Sequence, residues 1–434
     1  MQLRTSDLAA AVGGLLEGLD VIVDGASQDS RAIARGQLFV PVVAGRDGHE
    51  FIGAALANGA RAYLTAGPLA GATAIVVADT VGALHAAGRL ARSRLPAPVI
   101  GVTGSVGKTS VKDLLAAVLA QRWTTASSAR SFNNELGVPL TLLNAPDGTE
   151  AVVVEMGARD VGQIAELCAI ASPTVGVVTR VAAVHTEVFG SIDQVARAKG
   201  ELVEALPADG AAVLNAGDAR VAAMAARTAA RVVSYGEGGE VRAEDLALDA
   251  GLRARFRLAS PWGSEEVVLG ARGLHQVENA LAAAAAALVV GVDLAGVAVG
   301  LGQAVLSRWR MELTTAPGGA LVLNDAYNAN PTSVAAALDS LAALPARRRI
   351  AVLGVMAELG DSEEADHAAI GARAEELGIR VIAVAAPGYR GEDVATVEEA
   401  INLLGGLEEG DAILVKGSRV AALERLAEQL LAML

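Results

Sequence analysis

The sequence predicts an α/β protein of three domains built on mostly parallel sheets. Three observations carry that expectation. Short β-branched runs recur, each followed by a helix-length segment: AIVVAD (74–79), PVIGVTG (98–104), AVVVEMG (151–157), VGVVTRV (175–181), RRIAVLG (348–354), RVIAVA (380–385) and AILVKGS (412–418). Unbroken apolar runs of this kind suit parallel strands covered by helices on both faces. The length, 434 residues, corresponds to about three domains at roughly 150 residues each. Two stiff or turn-rich segments look like joints: Pro96-Ala97-Pro98, and Ala316-Pro317-Gly318-Gly319 ahead of the strand LVLND. The domains expected are 1–97, 98–313 and 314–434.

One segment breaks the alternation. Residues 252–258 and 265–269 flank Ser-Pro-Trp-Gly and read as an antiparallel hairpin at an edge of the middle domain. The Ala-rich run from Ala280 to Val290 ends at Gly291 and Asp293. It is too short for the ~20 residues a bilayer span needs and reads as a buried helix. The N-terminus lacks a basic segment leading into a clean apolar run, so no signal peptide is expected. Composition narrows the function. Aromatics are 3% and the formal charge is −14. Stacking platforms and broad phosphate-backbone footprints are therefore disfavoured, and no nucleic-acid partner is expected. The lone Cys168 argues for a reducing compartment. A soluble cytoplasmic protein, without membrane insertion and monomeric, is the expectation.

The strongest local signal is GVTGSVGKTS, 101–110, between an apolar strand and the helical pattern VKDLLAAVLAQ. That is the setting of a phosphate-binding loop. Gly104 and Gly107 let the backbone turn its N–H groups inward, with Ser105 between them. The following helix N-terminus adds partial positive charge. Lys108 is placed for the β- and γ-phosphates, and Thr109 for Mg²⁺. Val102 stands where the strict pattern has its first glycine. Glu155, ending the strand AVVVEMG, is a candidate Mg²⁺ carboxylate. Downstream come His185 and Glu187 in VHTEVFGS, and Lys199 in ARAKGE. By themselves these read as ordinary polar and helix-surface residues. The five histidines form neither HExxH nor a Cys/His cluster, so a zinc site is not expected. The loop alone would serve motors, GTPases, small-molecule kinases and ligases alike.

The motifs GVTGSVGKTS, SFNNELGVPLTLL, VVVEMGA, VHTEVFGS, AKGEL, DAYNANPTS, LGVMAELG and VKGSR occur in that order. Together they resemble the Mur ligases of peptidoglycan synthesis over nearly the whole chain. Residues 29–60 resemble the family's N-terminal uridine-nucleotide domain. The resemblance implies a central P-loop ATPase-type domain and a C-terminal Rossmann-like domain. The pairing of FNNELGVPLTLL with DAYNANPTS points to members that add D-alanyl-D-alanine to UDP-N-acetylmuramoyl-tripeptide. It leaves the tripeptide's third residue, lysine or diaminopimelate, open. The implied chemistry uses ATP to turn a carboxylate into an acyl phosphate, which an amine then attacks. Such a site must gather anions, which calls for Mg²⁺ and cationic clamps. A ligase adding a single amino acid, a folate-type glutamate ligase and a catalytically silent nucleotide-binding scaffold are the alternatives.

Residue by residue, the resemblance implies ATP contacts from Gly104, Ser105, Gly107, Lys108, Thr109, Ser110, His275, Asn279, Arg310 and Asp325. Thr109 and Glu155 match ligands of one Mg²⁺. His185 and Lys199 match ligands of a second, with Lys199 carbamylated by CO₂. Lys108, Lys199, His185 and Glu155 thus form the implied catalytic group. Asn133 and Asn134 match a substrate-facing loop, and Tyr327, Asn328 and Asn330 surround Asp325. Lys416, Ser418 and Arg419 are assigned to the acceptor side or to domain closure. Ser30, Arg31, Arg46, Asp47, Gly48 and His49 match positions near the uridine diphosphate, where a forked arginine suits a diphosphate. Val355 departs from the pattern, because relatives often carry an acid there.

Overall fold

Each of those apolar runs becomes a largely buried strand in the computed structural model, which describes residues 1–129, 131–182 and 189–432. His185 and Glu187 lie outside the described residues. The central sheet runs Arg231–Tyr235, Ala211–Asn215, Val175–Val178, Val99–Thr103, Ala151–Glu155, Thr125–Ser127, with every neighbour parallel. Val99–Thr103 lies between Ala151–Glu155 and Val175–Val178, so chain connections leave it in both directions. The crevice at its C-terminal end is a topological switch point, the place where doubly wound sheets bind ligands.

The Ala-rich run forms the helix Gln276–Val289, with Ala282 to Ala287 fully buried. Its small side chains let it pack closely on the helix Lys108–Leu119, which follows the phosphate loop. The expected hairpin is part of a separate antiparallel sheet of three strands, Arg242–Leu248, Arg253–Ser260 and Gly263–Arg272.

The C-terminal sheet has the order Glu312–Thr315, Leu321–Asn324, Asp411–Lys416, Arg348–Leu353, Arg380–Val384, Glu392–Val394. All its pairs are parallel except the first, which is a hairpin. This corrects the second joint. Ala316 to Gly319 is the turn of that hairpin, closed by Ala316 N–H to Ala320 O at 2.8 Å, with Gly319 at φ 88°. The cut expected after residue 313 would pass through a strand. The passage between sheets lies upstream, between Gln303 and Glu312.

The N-terminal sheet carries Leu15–Glu17, Thr73–Val76, Ala62–Thr65, Leu38–Phe39 and Ala26–Ser27. Asp79 caps the helix Thr80–Ser93 by accepting from Val81 and Gly82 N–H. That helix packs on Gly137–Leu143 and Gln163–Ala171 of the next domain. At the crossing, a Cβ on Gly88 would stand 2.6 Å from Pro139 Cβ and 3.0 Å from Ile170 Cγ2. Helix propensity favours alanine over glycine by about 1 kcal/mol. A proline ring cannot swing aside, however, and overpacking costs about 1–3 kcal/mol. Gly88→Ala is therefore expected to lower the melting temperature. A calorimetric scan showing an unchanged or higher value would contradict this packing. Among the described residues no helix is long and apolar enough to cross a membrane.

Candidate active site

A cavity of about 410 Å³ opens at the switch point, between the central and C-terminal domains. One wall is the phosphate loop with Glu155 and Asn133. The other carries Asp325 to Ser333, Ala357 to Leu359, Lys416 and Ser418. The loop's shape follows from its neighbours. Gly104 (φ 144°) has no room for a Cβ, which would fall 1.9 Å from Thr179 Oγ1. Gly107 (φ 89°) faces Asn279 Oδ1 in the same way, at 2.4 Å. Thr179 Oγ1 donates to Val106 O at 2.6 Å, and Ser105 N–H donates to Arg180 O at 2.7 Å. The loop is thus held from the next strand. Lys108 Nζ donates to Gly104 O at 2.7 Å, and burial holds its ammonium below the ordinary lysine pKa, with Glu155 opposing.

Glu155 is 1% exposed. Its Oε1 accepts from Asn133 Nδ2 at 2.8 Å, while its Oε2 is buried without a partner among the described residues. Thr109 Oγ1 lies 3.3 Å from Ser131 Oγ. A buried carboxylate oxygen with no donor, beside a hydroxyl and an ammonium, fits a divalent cation. One hydroxyl and one carboxylate suit Mg²⁺ whose shell is completed by phosphate oxygens and water. Among the described residues no group of three or more His, Cys, Asp or Glu forms an all-protein cage. Lys199 is buried and does not line the cavity. Its Nζ donates to Ala158 O at 3.4 Å. Burial, reinforced by the Lys108 charge, lowers its pKa to about 7.

Opposite, His275 has a buried, unpartnered Nδ1, and burial pushes its pKa down to about 4. It is a neutral ring at pH 7. Arg310 stacks over Tyr327 at 4.4 Å, and its Nε is buried without a partner. Asp325 is already engaged: Oδ2 accepts from Lys416 Nζ at 2.5 Å and Oδ1 from Met311 N–H at 3.2 Å. Lys416 also donates to Asn328 O at 2.9 Å. Asn330 caps the helix Pro331–Ala343 in a capping box with Ser333. Arg419 leaves the cavity to pair with Glu424 and stack on Trp309.

The structure therefore gathers Ser105, Gly107, Lys108, Thr109, Ser110, Asn133, Glu155, His275, Asn279, Arg310, Asp325, Tyr327, Asn328 and Asn330 in one place. Gly104 shapes the loop from behind. Asn134 stands apart and accepts from Gly137 N–H to open a helix. The first-domain residues are not in this cavity. Ser30 O accepts from Asn58, and Arg31 folds back on Asp29, whose pKa it lowers to about 2. Arg46 covers Phe51 at 4.7 Å. Asp47 caps the short turn Gly48–Phe51 and accepts from His49 Nδ1, while His49 Nε2 accepts from Ala66 N–H. Sequence reasoning missed Thr179, Arg180 and Glu278. Arg180 pairs with Glu278 at 2.7 Å, and Glu278 also accepts from Asn215 at 2.6 Å. The available signal was polar residues at the C-terminal end of the strand next to the phosphate loop.

Comparison with known proteins agrees with this architecture. Residues 102–287 match the Mur ligase middle domain, and residues 309–419 match the Mur ligase, glutamate ligase domain. A Mycobacterium bovis protein named UDP-N-acetylmuramoyl-tripeptide–D-alanyl-D-alanine ligase is 39% identical, covering 100% of this chain and 98% of its own. The crystal structure of MurF from Acinetobacter baumannii superposes with a TM-score of 0.90 at 31% identity, over 100% of this chain and 99% of that one. The MurF ligase from Thermotoga maritima in complex with ADP gives 0.83 at 28% identity, over 94% and 97%. Full-length identity at this level, with the domains in the same order, establishes that the chain belongs to the Mur ligase family.

Proposed function

We propose that this chain is an ATP-dependent ligase joining D-alanyl-D-alanine to UDP-N-acetylmuramoyl-tripeptide, in the cytoplasm. The observation that carries the reading is a set of three buried, unpartnered polar atoms in one cavity. Glu155 Oε2, His275 Nδ1 and Arg310 Nε come from different segments and call for one ligand that is at once metal-bound, polar and anionic. A nucleoside triphosphate with Mg²⁺ is that ligand. The relative bound to ADP and the relatives' names support it.

In this reading, the loop N–H groups and Lys108 bind the β- and γ-phosphates, and Arg310 approaches from the joint. His275, Asn279 and Asp325 serve the nucleoside side. Thr109 and Glu155 would hold Mg²⁺, which offsets phosphate charge as the γ-phosphoryl group departs. The tripeptide carboxylate oxygen attacks the γ-phosphorus, the bond to the β-phosphate oxygen breaks, and ADP forms. The D-alanyl-D-alanine amine then attacks the acyl carbon, the bond to phosphate breaks, and phosphate and a proton are released. Lys108 neutralises charge on the transferring group. Closure of the C-terminal wall would keep water from the acyl phosphate. Ser30, Arg31 and 46–49 are proposed for the uridine diphosphate, Asn133 and Asn134 for the peptide, and Tyr327, Asn328 and Asn330 for nucleotide or dipeptide. Lys199 has a neutral amine available near pH 7, as carbamate formation requires, and would then assist a second ion with His185.

The test is mass spectrometry of the product from purified protein with ATP, Mg²⁺ and each candidate UDP-muramoyl tripeptide. The expected product carries the mass of the tripeptide plus D-alanyl-D-alanine less one water, with ADP release dependent on both peptides. ADP release indifferent to the peptides, or none at all, would overturn the reading in favour of a plain ATPase or a silent scaffold.

A further inference from the structure

We infer that Asp113 is a positioning residue for Arg310, acting through the backbone of the segment that joins the central and C-terminal domains. The inference rests on the proposed contact of Arg310 with ATP. Asp113 lies on the helix Lys108–Leu119, one turn beyond the phosphate loop, and its side chain is 11% exposed. It does not line the cavity. Its Oδ2 accepts from Ser307 N–H at 2.7 Å across 194 residues of sequence. Its Oδ1 pairs with Lys112 Nζ at 2.7 Å, and Lys112 in turn donates to Ser128 O at 2.9 Å. Ser128 Oγ accepts from Glu155 N–H. One carboxylate thus links the phosphate-loop helix to the joint, and through Lys112 to the strand end that holds Glu155.

Arg310 sits three residues beyond Ser307, between Trp309 at φ 62° and Met311 at φ 52°. Non-glycine residues persist in the left-handed region only where the surroundings over-determine them. Here a carboxylate from each domain does so. Asp113 holds Ser307 N–H on the central side, and Asp325 holds Met311 N–H on the other. Arg310 is presented to the cavity by a strained segment pinned at both ends. Loss of the Asp113 end lets the segment relax while leaving the loop itself in place.

The experiment uses full-length Asp113→Ala, Asp113→Asn, Arg310→Ala and the Asp113→Ala/Arg310→Ala double variant. It measures kcat in the complete ligation assay, ADP affinity and melting temperature. Asp113→Ala is expected to lower kcat by about 10- to 100-fold, the scale of a displaced catalytic group, with ADP affinity within about threefold. Asp113→Asn keeps an oxygen for Ser307 N–H but removes the ion pair between Lys112 and Asp113. It should melt lower yet keep kcat within about threefold of wild type, so that activity follows the acceptor and stability follows the charge. The double variant should be no slower than Arg310→Ala alone, because both act through one group. Equal kcat losses in the Ala and Asn variants, or a double variant slower by the product of the two losses, would overturn the positioning role. A normal kcat in Arg310→Ala would instead overturn the ATP contact of Arg310 on which the inference depends.

Discussion

Glu155→Gln is expected to lower kcat by about 10²- to 10³-fold, the cost of removing one preorganised charge from a site of developing charge. The fold should survive it. Glutamine keeps the Oε1 that accepts from Asn133 Nδ2, and it removes a charge whose Oε2 has no partner among the described residues. The unpartnered Oε2 makes the charge costly in the ligand-free protein, while the same charge offsets the buried Lys108 ammonium, so the variant should melt close to wild type. Stabilisation by ADP with Mg²⁺ should shrink, since that gain depends on affinity. A variant with near-normal kcat would remove Glu155 from the metal site. A variant that melts far below wild type would make the loss structural.

Lys199→Ala is expected to lose about 10³-fold in kcat, an effect of the same electrostatic origin. Part should return on adding short carboxylic acids such as formate or acetate. The deletion leaves a buried space beside Ala158 where a small carboxylate can stand in for a carbamate. Lys199 is 2% exposed, and desolvation with the nearby Lys108 charge brings its pKa from 10.5 to about 7. About half the amines are then neutral at pH 7 and able to react with CO₂. Because the folded-state pKa lies below the unfolded one, the unfolded chain holds more protons between about pH 7 and 10.5, so the penalty this buried group places on folding shrinks as pH rises through that window. ¹³C-labelled CO₂ should enter Lys199 progressively less as pH falls through 7. No rescue by carboxylic acids in a variant melting like wild type would contradict the carbamate role.

The parallel cores were legible because their strands need no polar alternation. An apolar run such as AVVVEMG announces a strand buried on both faces, and its polar end, Glu155, falls at the switch point. The strand Arg242–Leu248 gave no such signal. Most of its residues are exposed, and the only apolar stretch in RAEDLAL is the terminal Leu-Ala-Leu. Ala-Pro-Gly-Gly was misread as a joint because the residues that suit a linker also suit a hairpin turn. In the site, the phosphate loop and Glu155 could be found from local sequence. Thr179, Glu278 and Asp113 could not, because each acts on a partner distant in the chain. Asp113 beside Lys112 reads as an ordinary helix-surface pair until the fold brings Ser307 to it.

The central claim is that the cavity energises a carboxylate by phosphorylation before the amine arrives. Oxygen-18 placed in the tripeptide's terminal carboxylate tests it most directly, with the released inorganic phosphate analysed after turnover with ATP and D-alanyl-D-alanine. One labelled oxygen is expected in each phosphate formed from a doubly labelled carboxylate. Phosphate free of label, alongside normal ligation, would contradict it.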